Sequence, residues 1–310
     1  MTESLGVWPI AVAVGSALFL GILLLAVLSL IPKTAVVARS LWPTLLTEIV
    51  ILATGTVPML VGGPVLIVFL VALSARVFYE VSIVGLLRCG RAVESPGFKS
   101  KAAAGSVLVG AGVVGAGCWL GFPAAFYSCA GLAVPMAITI AFGSRTDVSP
   151  VNVIAESLIF PGLFLVLFAA AAGEPALRGA LLLAFLLVET YDSYALLGGK
   201  LAGKRKAFPK LSPNKTVEGL AFGALALAAT ATVGGYLLVG ADPLAMLGLA
   251  ALIALFSVAG DLAASRLKRL AGVKDYPAVM PRQGGVFDIA DAWIMTGPTV
   301  VAAVYWLSIA

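Results

Sequence analysis

The sequence predicts an all-α polytopic integral membrane protein with about nine or ten transmembrane helices. Of its 310 residues, 61% are hydrophobic and 11% are charged, and the mean hydropathy is +1.08. This is more apolar surface than one water-soluble core can bury. The apolar runs continue unbroken for roughly 20 residues, the length of a helix that crosses about 30 Å of hydrocarbon, whereas strands of a membrane barrel alternate apolar and polar residues.

Ten apolar runs account for the predicted spans, and the second and third also fit one broken helix. Residues 1–6 carry no lysine or arginine and the first run is too long for a signal-peptide core, so we expect a retained span. The predicted spans are 7–31, 45–60, 64–87, 102–120, 122–142, 153–172, 177–197, 220–239, 243–263 and 286–309.

Positive charge predicts the orientation of these spans. The loops rich in lysine and arginine all fall on one side of the ten-span arrangement, which places that side in the cytoplasm and both termini outside. Eleven of the 20 lysine and arginine residues lie in the last two such loops, between residues 200 and 215 and between 266 and 282. Attraction to lipid headgroups explains part of this excess, and the rest indicates an anionic ligand.

The longest polar stretches are about 20 residues, too short for an independent soluble core. We therefore expect one membrane-embedded unit, with N-terminal helices in residues 1–150 and a C-terminal region in residues 151–310 that carries polar loops 198–219 and 264–285. No internal repeat is evident, which disfavours a secondary transporter.

Missing residue types exclude several kinds of site. The chain has no histidine, and Cys89, Cys118 and Cys129 show no paired spacing and lie in or beside apolar runs. This excludes a histidine base and a zinc site, and the cysteines are expected to pack as small apolar residues. Carboxylates remain as metal ligands, which suits Mg²⁺.

The first polar cluster begins with Glu189 and Asp192 on one helix face, where acids are costly unless they meet a cation or water. Residues 198–206 then combine glycine with positive charge, as phosphate binding requires. Residues 198–204 also fit the spacing G-x-x-x-x-G-K of a phosphate-binding loop. Arg205 follows instead of Ser or Thr, and a membrane helix precedes instead of a strand, so we reject that motif.

Ser212 and Pro213 predict a helix start, with serine at the N-cap and proline at the first helical position. Lys215 and Thr216 then fall in the opening turn, where free amides and the positive end of the helix dipole favour an anion. An ordinary capped helix at a membrane surface is the alternative interpretation.

The second polar cluster places Asp288 and Asp291 three residues apart at the start of the last run, on one helix face. Asp261 lies at the end of the preceding run, so we expect the three acids to converge. Carboxylates inside a membrane are functional by default.

Together the two clusters resemble the signature of the CDP-diacylglycerol synthase (phosphatidate cytidylyltransferase) family over about the C-terminal 120 residues. The family block D-x-x-A-Y-x-x-G-[RK]-x-x-G-[KR], then S-P-x-K-T-x-E-G, is matched by Asp192, Ala195, Gly199, Lys200, Gly203, Lys204, Ser212, Pro213, Lys215, Thr216, Glu218 and Gly219. The pattern S-x-x-K-R-x(4)-K-D-x(5)-P-x-H-G-G-x-x-D-R-x-D is matched by Ser265, Lys268, Arg269, Lys274, Asp275, Pro281, Gly284, Gly285, Asp288 and Asp291.

The chain departs from the family at four positions. Gln283 replaces the histidine before the paired glycines, Ile289 replaces the arginine between the last acids, and Ala264 and Leu196 replace an acid and a tyrosine. The loss of positive charge beside the site is consistent with a divergent branch that uses another lipid acceptor, or with an impaired enzyme.

The resemblance implies transfer of a cytidylyl group from CTP to a lipid phosphate, phosphatidic acid or a relative of it, with release of pyrophosphate. It implies Mg²⁺, with Asp261 and Asp288 as first candidate ligands and Asp192 and Asp291 as further ones. The candidate catalytic residues are Asp288, Asp261, Lys215 and Lys274. The candidate substrate contacts are Lys200, Lys204, Ser212, Thr216, Ser265, Lys268, Arg269, Arg282, Gln283, Gly284 and Gly285.

The same resemblance implies a homodimer. With the charge pattern, we expect a bacterial or archaeal type of cell membrane with cytoplasmic catalytic loops, and no nucleic-acid partner. Three alternatives remain open from the residues. They are a CTP-dependent polyprenol or phytol kinase, a transporter or lipid scramblase, and a non-catalytic homologue of the same fold.

Overall fold

The structure, a computed structural model, describes residues 7–90, 96–142, 150–279 and 284–307. Within these ranges the chain forms eleven α-helices and one two-stranded hairpin. The helices are α1 (Val7–Leu30), α2 (Ala35–Val61), α3 (Gly63–Arg88), α4 (Pro96–Leu120), α5 (Phe122–Phe142), α6 (Pro150–Ser157), α7 (Phe164–Gly173), α8 (Pro175–Ala202), α9 (Val217–Val239), α10 (Pro243–Leu270) and α11 (Val286–Leu307). The strands are β1 (Lys206–Phe208) and β2 (Ser212–Thr216).

Eight of the described helical segments are long and apolar enough to cross a membrane, and shorter apolar helices accompany them. The predicted fold class, an all-α polytopic membrane protein, is therefore confirmed. Each of the ten predicted runs coincides with helical structure. The second and third runs form separate helices, because the chain turns at Gly62, whose φ of 69° is readily adopted only by glycine.

The predicted helix start at Ser212 is wrong. Ser212 pairs with Phe208 and Thr216 pairs with Lys206 in the antiparallel hairpin, and α9 begins at Val217. The Thr216 hydroxyl oxygen caps this helix by accepting a hydrogen bond from the Gly219 amide at 3.1 Å. Pro213 is tolerated in the strand because an edge strand can leave the missing N–H on its open side.

The contacts within the chain define two compact units. The first contains Met1–Val61 and Gly179–Leu255, and α1, α2 and α8 meet there around Leu25, Leu41 and Leu197. The second contains Gly62–Arg178 and Phe256–Ile309. The sequence-based division at residue 150, which separates parts of one membrane-embedded unit, stays a prediction.

The core of the second unit surrounds the start of α11. Phe287 is fully buried there, and its ring lies 5.5 Å from the ring of Phe160 and 5.2 Å from that of Tyr276. Phe160 lies in the segment Leu158–Leu163 between α6 and α7, and its extended backbone interrupts the helical path there. These aromatic contacts fix the helical turn that also carries Asp288.

Candidate active site

The centre of the second motif, the matched pattern from Ser265 to Asp291, is an ion pair between Lys268 and Asp288. The Lys268 ammonium donates to Asp288 Oδ1 at 2.5 Å, and each side chain is only about one-tenth exposed. Asp288 Oδ2 accepts two further hydrogen bonds, from the amides of Tyr276 and Gly285, both at 2.9 Å. Hydrogen bonds to a carboxylate are stronger than neutral ones, so this side chain holds one position.

Local structure brings these two residues together. Lys268 lies in the last turn of α10, and Asp288 lies in the first turn of α11, where helix amides are unsatisfied and favour a carboxylate. Gly284 permits the close approach: its φ is 80°, and a Cβ atom there would lie 2.4 Å from Asp288 Oδ2. The sequence predicted ligand contacts for Gly284, and the structure gives it this second reason to be glycine.

Tyr276 is a neighbour of the pair that sequence reasoning missed. Its ring lies 5.5 Å from the Lys268 ammonium, and its hydroxyl donates to the Ala264 carbonyl at 3.3 Å. Burial raises the pKa of the Tyr276 phenol, and the carboxylates of Asp291, Asp288 and Glu80 raise it further. The phenol therefore stays neutral, in a region where three carboxylates are near. Its position directly after Lys274 and Asp275 was the available signal.

Glu80, on α3, was also missed. It is completely buried, and its carboxylate accepts hydrogen bonds from the Val286 and Phe287 amides, both at 2.8 Å. The Arg76 guanidinium donates to the same carboxylate at 2.7 Å. A residue from the N-terminal half of the chain thus contacts the first turn of α11.

Two further candidate carboxylates, Asp261 and Asp291, lie on α10 and α11. The two helices touch at Gly260, where a Cβ atom would lie 2.7 Å from the carbonyl oxygen of Asp291. Asp261 follows Gly260 directly, and Asp291 is buried. Among the described residues, no group of three or more His, Cys, Asp or Glu side chains is arranged to enclose a metal ion.

These carboxylates nevertheless fit a magnesium ion by ligand type. Mg²⁺ in phosphate-processing sites takes one or two protein carboxylates, and substrate phosphates and water complete its shell. The predicted set of Asp261 and Asp288, with Asp192 and Asp291 as further ligands, stays a prediction.

The remaining predicted residues of this motif differ in their surroundings. Ser265 is buried, and the Arg269 guanidinium donates to the Val273 carbonyl at 2.9 Å. Lys274 is exposed. The predicted substrate contacts Arg282 and Gln283 lie outside the described residues.

The first motif is the matched block from Asp192 to Gly219. In it Lys215 lies beside Asp192, with 4.0 Å between Nζ and Oδ1. Asp192 lies on α8 and Lys215 on β2, so the hairpin returns the lysine to the helix that precedes it. Lys200 and Lys204 are exposed, Ser212 is half-buried, and Thr216 is buried as the helix cap.

The glycines of the first motif are not a flexible phosphate loop. Gly198 and Gly199 lie within α8, and they permit close packing against α9. A Cβ atom on Gly219 would lie 2.6 Å from the Ala195 carbonyl oxygen and 3.0 Å from the Gly199 Cα atom. The glycines therefore allow the backbones of α8 and α9 to pack closely. Residue spacing alone could not distinguish this packing role from phosphate binding.

Glu218 shapes the turn between α8 and β1. Its Oε2 atom accepts hydrogen bonds from the amides of Lys204 and Arg205, at 3.0 and 3.1 Å, and its Oε1 atom pairs with the Arg205 side chain at 3.0 Å. The backbone of Lys204 is therefore held in this turn, while the Lys204 side chain remains exposed.

Comparison with known proteins agrees with these motifs. The model of the cytidylyltransferase family matches residues 42–307. An Escherichia coli (strain K12) protein, uncharacterized protein YnbB, is 40% identical over 122 residues, which are 39% of this chain and 41% of that protein. A phosphatidate cytidylyltransferase of Staphylococcus aureus (strain COL) is 36% identical over 131 residues, 38% of this chain and 46% of the relative.

A phosphatidate cytidylyltransferase of Bacillus subtilis (strain 168) is 37% identical over 118 residues, 37% of this chain and 43% of that enzyme. The chain thus aligns with less than half the length of each of these three relatives. The family match, in contrast, extends over most of the chain. On that match, the chain belongs to the cytidylyltransferase family.

Proposed function

We propose that the protein is a membrane-embedded nucleotidyltransferase that transfers a cytidylyl group from CTP to a lipid phosphate. The acceptor is phosphatidic acid or a close relative, and the products are a CDP-diacylglycerol type of lipid and pyrophosphate. Family membership supports the reaction class, and the relatives named phosphatidate cytidylyltransferase support the substrates. The observation that carries the proposal is the buried Lys268–Asp288 pair, held by backbone amides at the adjoining ends of α10 and α11.

The reaction needs charge neutralisation and alignment more than a protein nucleophile. An oxygen of the lipid phosphate attacks the α-phosphorus of CTP and forms a new P–O bond. The bond from that phosphorus to the oxygen bridging the β-phosphate breaks, and its electrons leave with pyrophosphate. Negative charge gathers on the oxygens around phosphorus, so fixed positive groups stabilise the transition state.

Lys268 suits this task because its position is fixed before substrate arrives. The Asp288 carboxylate pairs with the buried ammonium at 2.5 Å and holds it in place. Ser265, one turn earlier on α10, and Arg269 lie on the same helix end and supply further donors. We also assign Gly284 and Gly285 to the phosphate, through backbone on the side away from Asp288 and Glu80, whose carboxylates already fill the space of a Cβ atom at these glycines.

The lysines of the first motif suit the soluble nucleotide. Lys200 and Lys204 are exposed, and Lys215 is held near Asp192 by the hairpin. We assign these side chains to the phosphates of CTP, and Lys274 remains a candidate catalytic residue of the second motif. Ser212 and Thr216 contribute through hydroxyl or backbone groups of the same hairpin.

A magnesium ion held by Asp261 and Asp288, with Asp192 and Asp291 as further ligands, would neutralise phosphate charge when bound. We place the protein in a bacterial inner membrane with its lysine-rich loops in the cytoplasm, where CTP is present. A homodimer is the expected assembly.

Labelled CTP tests the function directly. Purified protein in detergent receives Mg²⁺, phosphatidic acid and CTP labelled at the α- or the γ-phosphate. We expect α-label in the lipid, release of pyrophosphate, and loss of both on addition of EDTA. The Lys268→Met variant should lose transfer, whereas Lys210→Met, at an exposed lysine of the β1–β2 turn, should retain it.

The other outcomes are equally distinct. Transfer of γ-label to a polyprenol or phytol acceptor would identify a lipid kinase. If neither label enters phosphatidic acid, lysophosphatidic acid or an isoprenoid alcohol, the proposed cytidylyl transfer is wrong, and a transporter or a non-catalytic homologue is favoured.

A further inference from the structure

Glu80 is a buried carboxylate, and each of its three hydrogen-bond donors either belongs to the second motif or contacts its backbone. Its side chain is 0% exposed, and burying an ion costs several kcal/mol unless its oxygens are satisfied. Oε1 accepts from the Arg76 side chain at 2.7 Å and from the Val286 amide at 2.8 Å, and Oε2 accepts from the Phe287 amide at 2.8 Å. Two of these three donors are backbone amides in the first turn of α11.

This arrangement divides the amides at the start of α11 between two carboxylates. Asp288 takes the Gly285 amide, and Glu80 takes those of Val286 and Phe287. Asp288 is the third residue of the helix, a position from which an acidic side chain readily turns back to the first amides. Because Glu80 satisfies two of those amides, Asp288 Oδ1 remains directed at Lys268.

Arg76 extends the same contact to the preceding loop. Its Nε atom pairs with Glu80, and its terminal nitrogen donates to the Pro277 carbonyl at 2.7 Å. Pro277 follows Tyr276, whose amide donates to Asp288. The two α3 side chains therefore hold both backbone segments that supply hydrogen bonds to Asp288.

Gly285 shows how closely Glu80 approaches. A Cβ atom on Gly285 would lie 2.4 Å from Glu80 Oε2 and 2.6 Å from its Cδ atom, so a larger residue would displace the carboxylate. One of the two paired glycines is thus required by a residue about two hundred positions earlier in the sequence.

We propose that Glu80, together with Arg76, is a positioning residue that sets the Asp288–Lys268 pair for phosphate and cation binding. The inference rests on the proposed function, since it assigns that pair to the nucleotide site. Glu80 itself contacts neither substrate nor the reacting atoms. It acts by fixing the backbone from which Asp288 projects.

Glu80→Gln tests this with little change in volume. The amide retains one acceptor oxygen but turns an NH₂ donor toward a backbone N–H, so at least one contact to α11 is lost. Glu174→Gln is the matched control. Glu174 also gives a carboxylate to another helix, by accepting from the Phe122 amide at the start of α5 at 2.6 Å, and it lies outside the motif.

Two readouts separate positioning from a general loss of stability. One is equilibrium binding of labelled CTP with Mg²⁺ in the absence of lipid. The other is the KM for CTP and the half-saturating Mg²⁺ concentration, with kcat expressed per folded protein. For Glu80→Gln we expect the Kd and the half-saturating Mg²⁺ each to rise about 10-fold or more, as for residues that orient metal ligands. Glu174→Gln should lower the unfolding temperature without moving either value.

The contrary results are clear. If Glu80→Gln lowers only the amount of folded protein and leaves the Kd, KM and Mg²⁺ dependence of wild type, Glu80 is merely structural and the inference is wrong. A wild-type protein that neither binds nor turns over CTP overturns the proposed function, and this inference with it.

Arg76→Lys keeps the test decisive if Glu80→Gln does not fold. A lysine retains the charge beside Glu80 but lacks the forked guanidinium that contacts Glu80 and Pro277 together. We expect the same two values to rise severalfold. Unchanged values in a folded Arg76→Lys protein would contradict the proposed link between α3 and Asp288.

Discussion

The Asp288 carboxylate pairs with the Lys268 ammonium and accepts hydrogen bonds from the Tyr276 and Gly285 amides. Replacement by asparagine tests the charge separately from these backbone contacts. Asn keeps one acceptor oxygen but loses the charge that balances Lys268, and breaking a buried ion pair costs about 3–5 kcal/mol. We expect Asp288→Asn to lower label transfer by roughly 100-fold or more, the scale of losing a preorganised charge contact. Transfer from α-labelled CTP, normalised to folded protein, measures this loss.

Asp275→Asn is the control for that prediction. Asp275 is an exposed acid of the loop between α10 and α11. The same chemical change there should leave transfer within about threefold of wild type, which corresponds to less than about 1 kcal/mol in barrier height. If Asp288→Asn also stays within that range, Asp288 is not part of the site.

At the residue scale, the sequence named candidate side chains in the second motif, which stay a prediction, but it did not show how they pair. Lys268 and Asp288 were both expected to meet a ligand, and their contact with each other depends on how α10 and α11 approach. Glu80 had no motif around it. Its signal was an acid within an apolar run, with Arg76 one turn earlier, a pattern that is functional by default in a membrane span.

At the scale of elements, the contact between α8 and α9 depends on glycine. Gly219→Ala would place a methyl group 2.6 Å from the Ala195 carbonyl oxygen, so the helices must separate. Such overpacking costs about 1–3 kcal/mol. We expect a lower unfolding temperature in detergent for this variant.

Gly234→Ala is the matched change on the same helix. A Cβ atom on Gly234 meets nothing within 4 Å, and alanine favours helix over glycine by up to about 1 kcal/mol. Its unfolding temperature should therefore equal or exceed that of wild type. Equal losses in both variants would show that the tight contact between α8 and α9 is not what Gly219 serves.

Element boundaries were predictable where a single physical cause dominates. Apolar length fixes a membrane helix, so all ten runs correspond to helices. The start of α9 was misplaced because Ser212 and Thr216 are both good cap residues, and local propensity cannot choose between them. The hairpin pairing of Lys206 with Thr216 decided the outcome, and that contact is not local.

At the scale of the whole molecule, composition alone predicted a membrane protein, and the motifs predicted the family. The division of the chain into two units was not predictable from hydropathy. Each unit combines segments that are distant in sequence, so no change of composition marks the boundary near Val61 or Gly179. Orientation in the membrane stays a prediction, which rests on charge that is readable along the sequence.

The predicted orientation can be tested at the connections around α9 and α10. Helices α9 and α10 are both long and apolar enough to span, so the lysine-rich segments before α9 and after α10 should face the cytoplasm. The connection at Asp242 should face outward. We propose single cysteines in place of Lys210, Asp275 and Asp242, in a protein whose three native cysteines are replaced by serine and which retains activity.

A membrane-impermeant maleimide applied to sealed vesicles of each orientation reads out the side directly. Cysteines at 210 and 275 should react only in inverted vesicles, where the cytoplasmic surface is outside, and a cysteine at 242 only in right-side-out vesicles. The opposite pattern at all three positions would reverse the assigned orientation. Reaction of 210 and 275 from different sides would mean that α9 or α10 does not cross the membrane, and the predicted arrangement of the last spans would be wrong.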